Sequence, residues 1–306
     1  MLHNKIDYRI VPITTGRKVR QITLYPPETS ARQKELYSKY RAIFTSATHR
    51  SVYSYVPGRS NYDAVIETQA HTAQYEFFIK ADIKDYFPSI NRDRLSGQLG
   101  IIMAKADATE ICSYAFCCTS GIAEGSALSP ALSNIYLHRF DGHMANYGDS
   151  FYIRYCDDFL ILTNGKTRET LQHIRRELLR FGLTLNNEKL LIGHVSDGVD
   201  FLGYRIAPGG ATVLKKKISA INTRIDAEKS KTRKGQIARG FKAYYRNNEH
   251  LPLCSESAEF LSKLSENTQS TFQVHYEPEE HKTSYLRCKL AEMMYAFAKR
   301  IYGDCA

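Results

Sequence analysis

The chain has 306 residues, of which 43% are hydrophobic and 24% charged, with a formal net charge of +10 and a pI near 9.1. This is an ordinary globular composition, long enough for one large domain or two smaller ones. The basic excess fits a polyanionic partner, most commonly nucleic acid, although charge alone leaves a merely soluble basic protein equally open.

The cysteines and the chain start exclude several classes of protein. Seven cysteines occur without CxxC spacing, which argues against a zinc ribbon and against a secreted disulfide framework. We therefore expect reduced thiols in a cytoplasmic protein. The first twenty residues lack the apolar stretch of a signal peptide, and the uncharged run 111–123 is too short and too polar to span a membrane.

The first part of the chain, 1–76, mixes short strands with basic turns. YRIVPI and VRQITLYPP predict a hairpin around a Gly-Arg-Lys turn. The segment 31–44 carries Leu36, Tyr40 and Ile43 at helical spacing. A turn at 57–60 then leads into a second predicted helix.

The middle part, 77–206, predicts a strand, a helix, a β-hairpin, a helix and further strands. An apolar strand within 75–90 ends in acidic residues, and a helix with an early proline covers 126–141. Strands at 151–155 and 159–164 flank a tight turn. An amphipathic helix at 167–182 ends at Gly182, before strands at 183–193 and 199–206. The pattern indicates an α+β fold whose sheet is covered on one face.

The last part begins after a turn-rich boundary at 207–214. Between Lys215 and Arg246 there are eleven lysines and arginines but two acids, and this stretch predicts basic helices. An acidic, serine-rich segment at 254–281 predicts a loop with a short helix, and 283–303 predicts a final helix.

Three aspartates carry the clearest chemical signal. Asp82 ends an apolar strand, and Asp157 and Asp158 lie side by side at the tip of the hairpin. Converging carboxylates repel one another unless a cation compensates them, and hard oxygen ligands favour Mg²⁺ or Mn²⁺. Two such ions, about 3.5–4 Å apart, can activate a hydroxyl and stabilise a leaving phosphate oxygen. The alternative is that Asp157 and Asp158 form a solvated turn.

Five ordered motifs resemble one protein family. They are FIKADIKDYFPSI, GIAEGSALSPALSNIYL, YCDD, LTLNNEKL and FLGY. Together they resemble the motifs of bacterial reverse transcriptases, the class that contains group II intron, retron and phage-defence enzymes, from about residue 8 to about 250. The resemblance implies an α+β right-hand polymerase fold: fingers at 1–76 with part of 91–125, a palm at 77–206, and a small helical thumb with a tail at 207–306.

The resemblance implies a catalytic set of Asp82, Asp157, Asp158 and Lys189. Asp82, Ile83, Asp157 and Asp158 would bind two Mg²⁺ ions, or Mn²⁺, for nucleotidyl transfer to a primer 3′ end. Lys189 would lie near the triphosphate and favour pyrophosphate departure as a general acid or an electrostatic partner. The alternative for Lys189 is an ordinary surface lysine.

Further residues are implied to bind substrate and nucleic acid. Phe87 falls at the position of an aromatic steric gate that selects dNTPs, or else simply packs in the core beside Tyr86. Arg59 and the residues Arg17, Lys18 and Arg20 resemble basic residues that meet template and triphosphate, although charged turns are usually just solvated. The nucleic-acid contacts implied are Gly203 of the FLGY primer-grip hairpin, and Lys215, Lys216, Lys217, Arg239, Lys242, Tyr245 and Arg246 of the thumb.

One position departs from the family pattern. The motif that usually begins with Gln before glycine has Glu124 before Gly125. A carboxylate accepts hydrogen bonds where an amide could donate one, and it adds negative charge near a triphosphate. Both residues are nevertheless expected to bind substrate. We expect Glu124→Gln to retain or raise DNA synthesis on a generic template, measured as steady-state incorporation.

The implied function is an RNA-directed DNA polymerase that copies a structured non-coding RNA into cDNA from dNTPs, in bacterial anti-phage defence. About sixty residues follow the thumb-like segment, too few for an integrated RNase H, an endonuclease or a large maturation region, and the retron elements NAxxH and VTG are not evident. An RNA-binding maturase or scaffold with a vestigial site, and an RNA-dependent RNA polymerase, are the alternatives. A homo-oligomer or an accessory effector protein stays open as a further partner.

Overall fold

The structure is a computed structural model that describes residues 6–15 and 18–244, without the side chains of 15, 18 and 242–244. The first two residues of the predicted Gly-Arg-Lys turn (16 and 17), the segment 254–281 and the final helix at 283–303 lie outside the described residues. So do Arg17, Tyr245 and Arg246. Lys18 and Lys242 lie on described backbone, but their side chains are not described.

The described chain contains both helices and strands. The α-helices are α1 (Pro27–Ser46), α2 (Asn61–His71), α3 (Tyr86–Ser89), α4 (Arg92–Ile102), α5 (Lys105–Ala115), α6 (Ser129–Ala145), α7 (Thr167–Arg180), α8 (Lys215–Ala227) and α9 (Lys231–Tyr244). The strands are β1 (Arg9–Thr15), β2 (Lys18–Leu24), β3 (Phe77–Asp82), β4 (Ser150–Tyr155), β5 (Asp158–Thr163), β6 (Leu191–His194), β7 (Val199–Phe201), β8 (Tyr204–Ala207) and β9 (Gly210–Val213). None of these helices is both long and apolar enough to cross a membrane.

The N-terminal elements agree with the expected hairpin and helix. Strands β1 and β2 pair antiparallel from Arg9↔Leu24 to Thr15↔Lys18. Helix α1 begins earlier than predicted, at Pro27, because a proline in the first turn loses no intrahelical hydrogen bond. Its buried side includes Leu36, Tyr40 and Phe44.

The central sheet has the strand order β4-β5-β3-β6, and every pair in it is antiparallel. Strands β4 and β5 form the predicted hairpin. The strand expected over 183–193 is shorter, since only Leu191–His194 pairs with β3. Before it, Leu185 forms a single bridge to Ile83, and Asn187–Lys189 is a 3-10 turn.

Both faces of the central sheet are covered, so the expectation of one covered face is wrong. On one face, Ile79 and Ile161 pack in a core formed mainly by α1 and α4–α7. On the other face, Leu160 and Leu162 pack in a second core with α2 and the strands β7–β9. Strands β3 and β5 are apolar on both sides, as expected of strands buried on both faces.

A three-stranded antiparallel sheet, β7-β8-β9, crosses the position where a boundary was expected. The segment 207–214 contains β9, which pairs with β8 from Tyr204↔Val213 to Ala207↔Gly210. The expected limit at 207 therefore divides a sheet. The three-part domain division stays a prediction.

Candidate active site

The three predicted aspartates meet at one end of the central sheet. Strand β3 ends at Asp82, strand β5 begins at Asp158, and the strand register pairs the two directly. Asp157 occupies the two-residue turn before Asp158, and its carbonyl accepts a hydrogen bond from the Ile83 amide at 2.9 Å. Residues about 75 positions apart in the sequence are adjacent here because β3 and β5 are neighbouring strands.

The electrostatics of this cluster favour a bound cation. Burial, together with repulsion from Asp82 and Asp157, raises the pKa of Asp158 to about 6, although Lys80 opposes the shift. Burial and the neighbouring Asp82 also raise the pKa of Asp157. One oxygen of Asp158, Oδ1, is buried without a hydrogen-bond partner among the described residues. Such an oxygen is costly unless a cation or donor approaches it.

Two lysines and an asparagine contact the carboxylates. The ammonium group of Lys189 lies 2.5 Å from Asp82 Oδ2, and Asn186 Nδ2 lies 3.3 Å from Asp82 Oδ1. Lys80 Nζ lies 3.6 Å from Asp158 Oδ2. Partial burial lowers the pKa of Lys189, but its hydrogen bond to Asp82 and the nearby carboxylates outweigh that effect and raise it.

Sequence reasoning missed Lys80 and Asn186. Lys80 could have been found from strand periodicity, because residues two apart on β3 point to the same face, which places Lys80 beside Asp82. Asn186 lies within the motif LTLNNEKL, but strand periodicity gives no sign of its contact with Asp82. Its contact with Asp82 spans 104 positions of the chain.

The donor set fits a magnesium or manganese ion. Asp82, Asp157 and Asp158 supply hard oxygen atoms, and the partnerless Asp158 Oδ1 is available to a cation. Ile83, predicted as a fourth ligand, is buried beside them and could offer only its main-chain carbonyl. The three aspartates are neighbours, but among the described residues no three His, Cys, Asp or Glu side chains are already arranged to hold a metal ion. Lys189 and Lys80 supply positive charge next to Asp82 and Asp158, where a metal ion would otherwise do so.

Phe87 links the carboxylate strand to the loop that contains Glu124. Its ring is half-buried and lies edge-on to Tyr86, with ring centres 5.8 Å apart. Its carbonyl accepts from the Ile122 amide at 3.0 Å. The ring packs against the main core and keeps an exposed part, so both packing and sugar contact are compatible with its position.

Glu124 and Gly125 contact the N-terminal hairpin. The Glu124 carbonyl accepts from the Thr23 amide at 2.7 Å. Gly125 has a φ of 111°, and a Cβ there would lie 2.4 Å from the Thr23 carbonyl oxygen, so a larger residue would displace β2. The Glu124 carboxylate lies 4.0 Å from the guanidinium of Arg20. This pair is partly exposed, and such pairs contribute at most about 1 kcal/mol.

Arg59 makes contacts that sequence reasoning did not anticipate. Its Nη1 donates to the carbonyls of His49, Arg50 and Val52 at 3.2, 3.0 and 2.7 Å. Burial lowers its pKa, with Tyr53 opposing the shift. Arg59 therefore binds the segment 49–52. Its predicted contact with template or triphosphate stays a prediction.

The predicted nucleic-acid residues lie on the β7–β8 turn and on α8 and α9. Gly203 has a φ of 90° in that turn, and its carbonyl accepts from the Leu214 amide at 3.1 Å, which joins the turn to the start of α8. Lys215, Lys216 and Lys217 form the exposed first turn of α8, and Arg239 is exposed on α9. The structure thus groups Gly203 with the three lysines.

Comparison with known sequences gives the family. The profile described as "Reverse transcriptase (RNA-dependent DNA polymerase)" matches residues 14–206, more than half of the chain. Protein YkfC of Escherichia coli K12 is 24% identical over 64% of this chain and 65% of its own length. The group II intron-encoded protein LtrA of Lactococcus lactis is 23% identical over 59% of this chain and 42% of its own. The chain thus spans less than two thirds of either relative.

Solved structures support the expected architecture. Apo telomerase from Candida tropicalis has a TM-score of 0.54 at 13% identity, covering 96% of this chain and 62% of that one. The same telomerase with a fragment of telomeric RNA also gives 0.54, at 14% identity, covering 98% and 59%. These likenesses confirm the α+β right-hand polymerase fold. The profile match over more than half of the chain establishes that this chain belongs to the reverse transcriptase family.

Proposed function

We propose that this protein is an RNA-directed DNA polymerase that copies a structured non-coding RNA into cDNA. One observation carries the proposal: in a member of the reverse transcriptase family, Asp82 is paired with Asp158 next to Asp157, at a point where one carboxylate oxygen has no partner among the described residues. A divalent cation would compensate the repulsion between these partly buried like charges.

The proposed site residues follow from this cluster. Asp82, Asp157 and Asp158, with the carbonyl of Ile83, would hold two Mg²⁺ or Mn²⁺ ions. When bound, such ions lower the pKa of an attacking hydroxyl and compensate charge on a leaving phosphate. Lys189 is protonated at neutral pH, as an ordinary lysine is, and its raised pKa strengthens that preference. It can therefore hold a proton or a positive charge for departing pyrophosphate.

Other residues would orient the nucleotide. Phe87 would place its ring against the sugar and reject a 2′-hydroxyl. Arg20, Lys18 and Gly125 would line the path of the triphosphate, with Glu124 paired to Arg20.

The basic end of the molecule would bind the template–primer duplex. From Lys215 to Arg239 there are nine lysines and arginines against two acids. Three of them form the first turn of α8, where a helix dipole disfavours positive charge. Phosphates at that turn would remove this unfavourable interaction and release counterions. Arg239, Lys242, Tyr245, Arg246 and the Gly203 turn would extend the path.

The partners proposed are a cognate structured RNA, its cDNA product and dNTPs. The protein is proposed to work in the bacterial cytoplasm, in anti-phage defence. This part rests on the resemblance of the motifs, while the telomerase of similar fold with bound telomeric RNA supports an RNA partner in general. Sequencing the nucleic acids that co-purify with the protein, from cells that also carry its neighbouring genomic DNA, would name the RNA and any cDNA. Recovery of cellular RNA without enrichment of one species or of cDNA would contradict the proposal.

The decisive experiment separates a polymerase from an RNA-binding scaffold. Asp157→Asn and Asp158→Asn should each abolish cDNA synthesis and leave RNA affinity intact, because they remove metal-binding charge and leave the lysines and arginines of the basic helices unchanged. Asp149→Asn is the matched control, since Asp149 is exposed at the opposite end of the same hairpin and should keep full synthesis.

The outcomes also distinguish the alternatives. If the wild-type protein binds RNA tightly but makes no cDNA, the scaffold function is favoured, as the basic surface does not require the carboxylates. If rNTPs are incorporated as readily as dNTPs, an RNA-dependent RNA polymerase is favoured and Phe87 is not a sugar gate.

A further inference from the structure

We propose that a buried network centred on Arg154 positions the turn that carries Asp157 and Asp158, so that Arg154, Asn134 and Ser54 are positioning residues for the site. The inference deepens the proposed function, since it concerns the same carboxylates. Its main test reports the conformation of the turn and requires neither nucleotide nor metal.

Arg154 lies on β4 and its side chain is fully buried. Its Nε and Nη2 atoms each donate to one oxygen of Asp141 at 2.7 Å, a bidentate ion pair with no exposed part. The remaining nitrogen, Nη1, donates to the carbonyl of Cys156 at 2.8 Å and to Asn134 Oδ1 at 3.3 Å. One end of the guanidinium therefore holds the chain that leads directly into Asp157.

A second set of hydrogen bonds in the network holds the amide side of Cys156. The Cys156 amide donates to Ser54 Oγ at 2.7 Å. Asn134 Nδ2 donates to the Ser54 carbonyl at 2.8 Å. Thus Arg154 holds the carbonyl of Cys156, Ser54 holds its amide, and Asn134 contacts both Arg154 and the Ser54 main chain.

The backbone at Cys156 requires such support. Its φ is 60°, in the left-handed region that favours glycine. A non-glycine residue stays in that region only where the surrounding structure determines its conformation, and such strain clusters at functional sites. The turn also brings Asp157 and Asp158 beside Asp82, which adds like-charge repulsion. Without the network, both effects would favour a relaxed turn.

Arg154 does not act on Asp157 and Asp158 through its positive charge. Asp141 compensates the guanidinium within the network, through both of its oxygens. Arg154 contributes a hydrogen bond of fixed direction, because Asp141 orients its planar guanidinium toward the Cys156 carbonyl. A purely structural ion pair would affect unfolding alone, whereas a positioning residue also changes the turn in the folded protein.

The main experiment uses the Cys156 thiol as a reporter of the turn. Ser54→Ala removes one hydrogen bond to the Cys156 amide. We expect it to increase the alkylation rate of Cys156 by iodoacetamide about fivefold, the factor that corresponds to losing one hydrogen bond. Mass spectrometry would follow Cys156 against buried Cys112 in the same molecule. Ser133→Ala is the matched control, because the hydroxyl of this buried serine donates to the Pro130 carbonyl within α6, and its loss should leave the rate unchanged.

A second variant tests the guanidinium itself. Arg154→Lys keeps the positive charge beside Asp141 but cannot also reach the Cys156 carbonyl. We expect faster Cys156 alkylation and, by calorimetry, severalfold weaker Mn²⁺ binding. In cDNA synthesis, kcat should fall severalfold, while the KM for dNTP should change less. The proposal is overturned if Ser54→Ala and Arg154→Lys, folded as judged by their Tm, show wild-type Cys156 alkylation. Failure of the proposed function would show instead as a wild-type protein that makes no cDNA.

Discussion

At the residue scale, the carboxylates at the end of the sheet are compensated by side chains from other elements. Lys189 contacts Asp82, Lys80 contacts Asp158, and one oxygen of Asp158 has no partner among the described residues. A divalent ion would therefore compete with lysines for Asp82 and with protons for Asp158. Competition with protons for Asp158 should make metal binding weaker at low pH, where that carboxylate is protonated.

The raised pKa of Asp158, about 6, predicts how metal binding depends on pH. Without metal, its folded pKa lies above the unfolded value of about 3.9. The stability that it contributes is therefore complete below about pH 4 and lost as pH rises through about 6. Metal binding requires the deprotonated carboxylate, so the Mn²⁺-induced increase in Tm should be small at pH 5 and larger at pH 7.5.

The matched variant for this measurement is Asp158→Asn. It removes the titrating group and should show a smaller Mn²⁺ effect with less dependence on pH. A wild-type Tm increase of equal size at both pH values would contradict the assignment of Asp158 as a metal ligand.

At the element scale, short turns and helix ends carry the proposed function. The two-residue turn between β4 and β5 places Asp157 and Asp158 opposite Asp82. The turn between β7 and β8 is tied to the first turn of α8 through Gly203 and Leu214. A basic helix start is consequently fixed to a sheet that packs on the same core as the central strands.

The first turn of α8 gives a prediction for RNA binding. Replacing Lys215, Lys216 and Lys217 by Gln should flatten the slope of log affinity against log salt by up to about 2–3, since each phosphate contact contributes about 0.7 on a single strand and about 0.9 on a duplex. Filter binding between 50 and 200 mM salt would measure the slope. Lys34, Lys105 and Lys166, all exposed elsewhere, form the control triple and should leave it unchanged. An unaltered slope in the Lys215–Lys217 variant would place the RNA elsewhere.

At the scale of the whole molecule, the central sheet separates two hydrophobic cores. Ile161 faces the core with the larger helices, and Leu162 faces the core formed with α2 and β7–β9. Both side chains are at most 1% exposed. The second core makes β7–β9 part of the support of the strands that carry Asp82 and Asp158.

Two core substitutions test this double coverage. Ile161→Ala and Leu162→Ala should each lower the free energy of unfolding by about 2–5 kcal/mol, because each leaves a cavity in a packed core. Leu179→Ala, at a position that is 64% exposed, should change it by less than about 0.5 kcal/mol. Urea denaturation would give all three values. A Leu162→Ala effect as small as that of Leu179→Ala would show that the second face is not a core.

Much of the fold could be predicted from local patterns. The hairpins β1–β2 and β4–β5 and the helices α1, α2 and α7 follow from periodicity and turn residues, which act over short stretches of chain. The prediction over 183–193 was too long because the apolar pattern does not show that Leu185 makes a single bridge and that 187–189 turns. The prediction that one face of the central sheet is covered was wrong for a similar reason, since an apolar run does not show which elements pack against its two faces.

The sequence by itself determined the α+β class, the family and the three aspartates, because these depend on residue types and on their order along the chain. Tertiary structure decided which groups surround those aspartates. The contact of Lys189 with Asp82 spans 107 positions, and that of Ser54 with Cys156 spans 102. Such contacts arise only when separate strands and loops pack together, so neither spacing nor composition could reveal them.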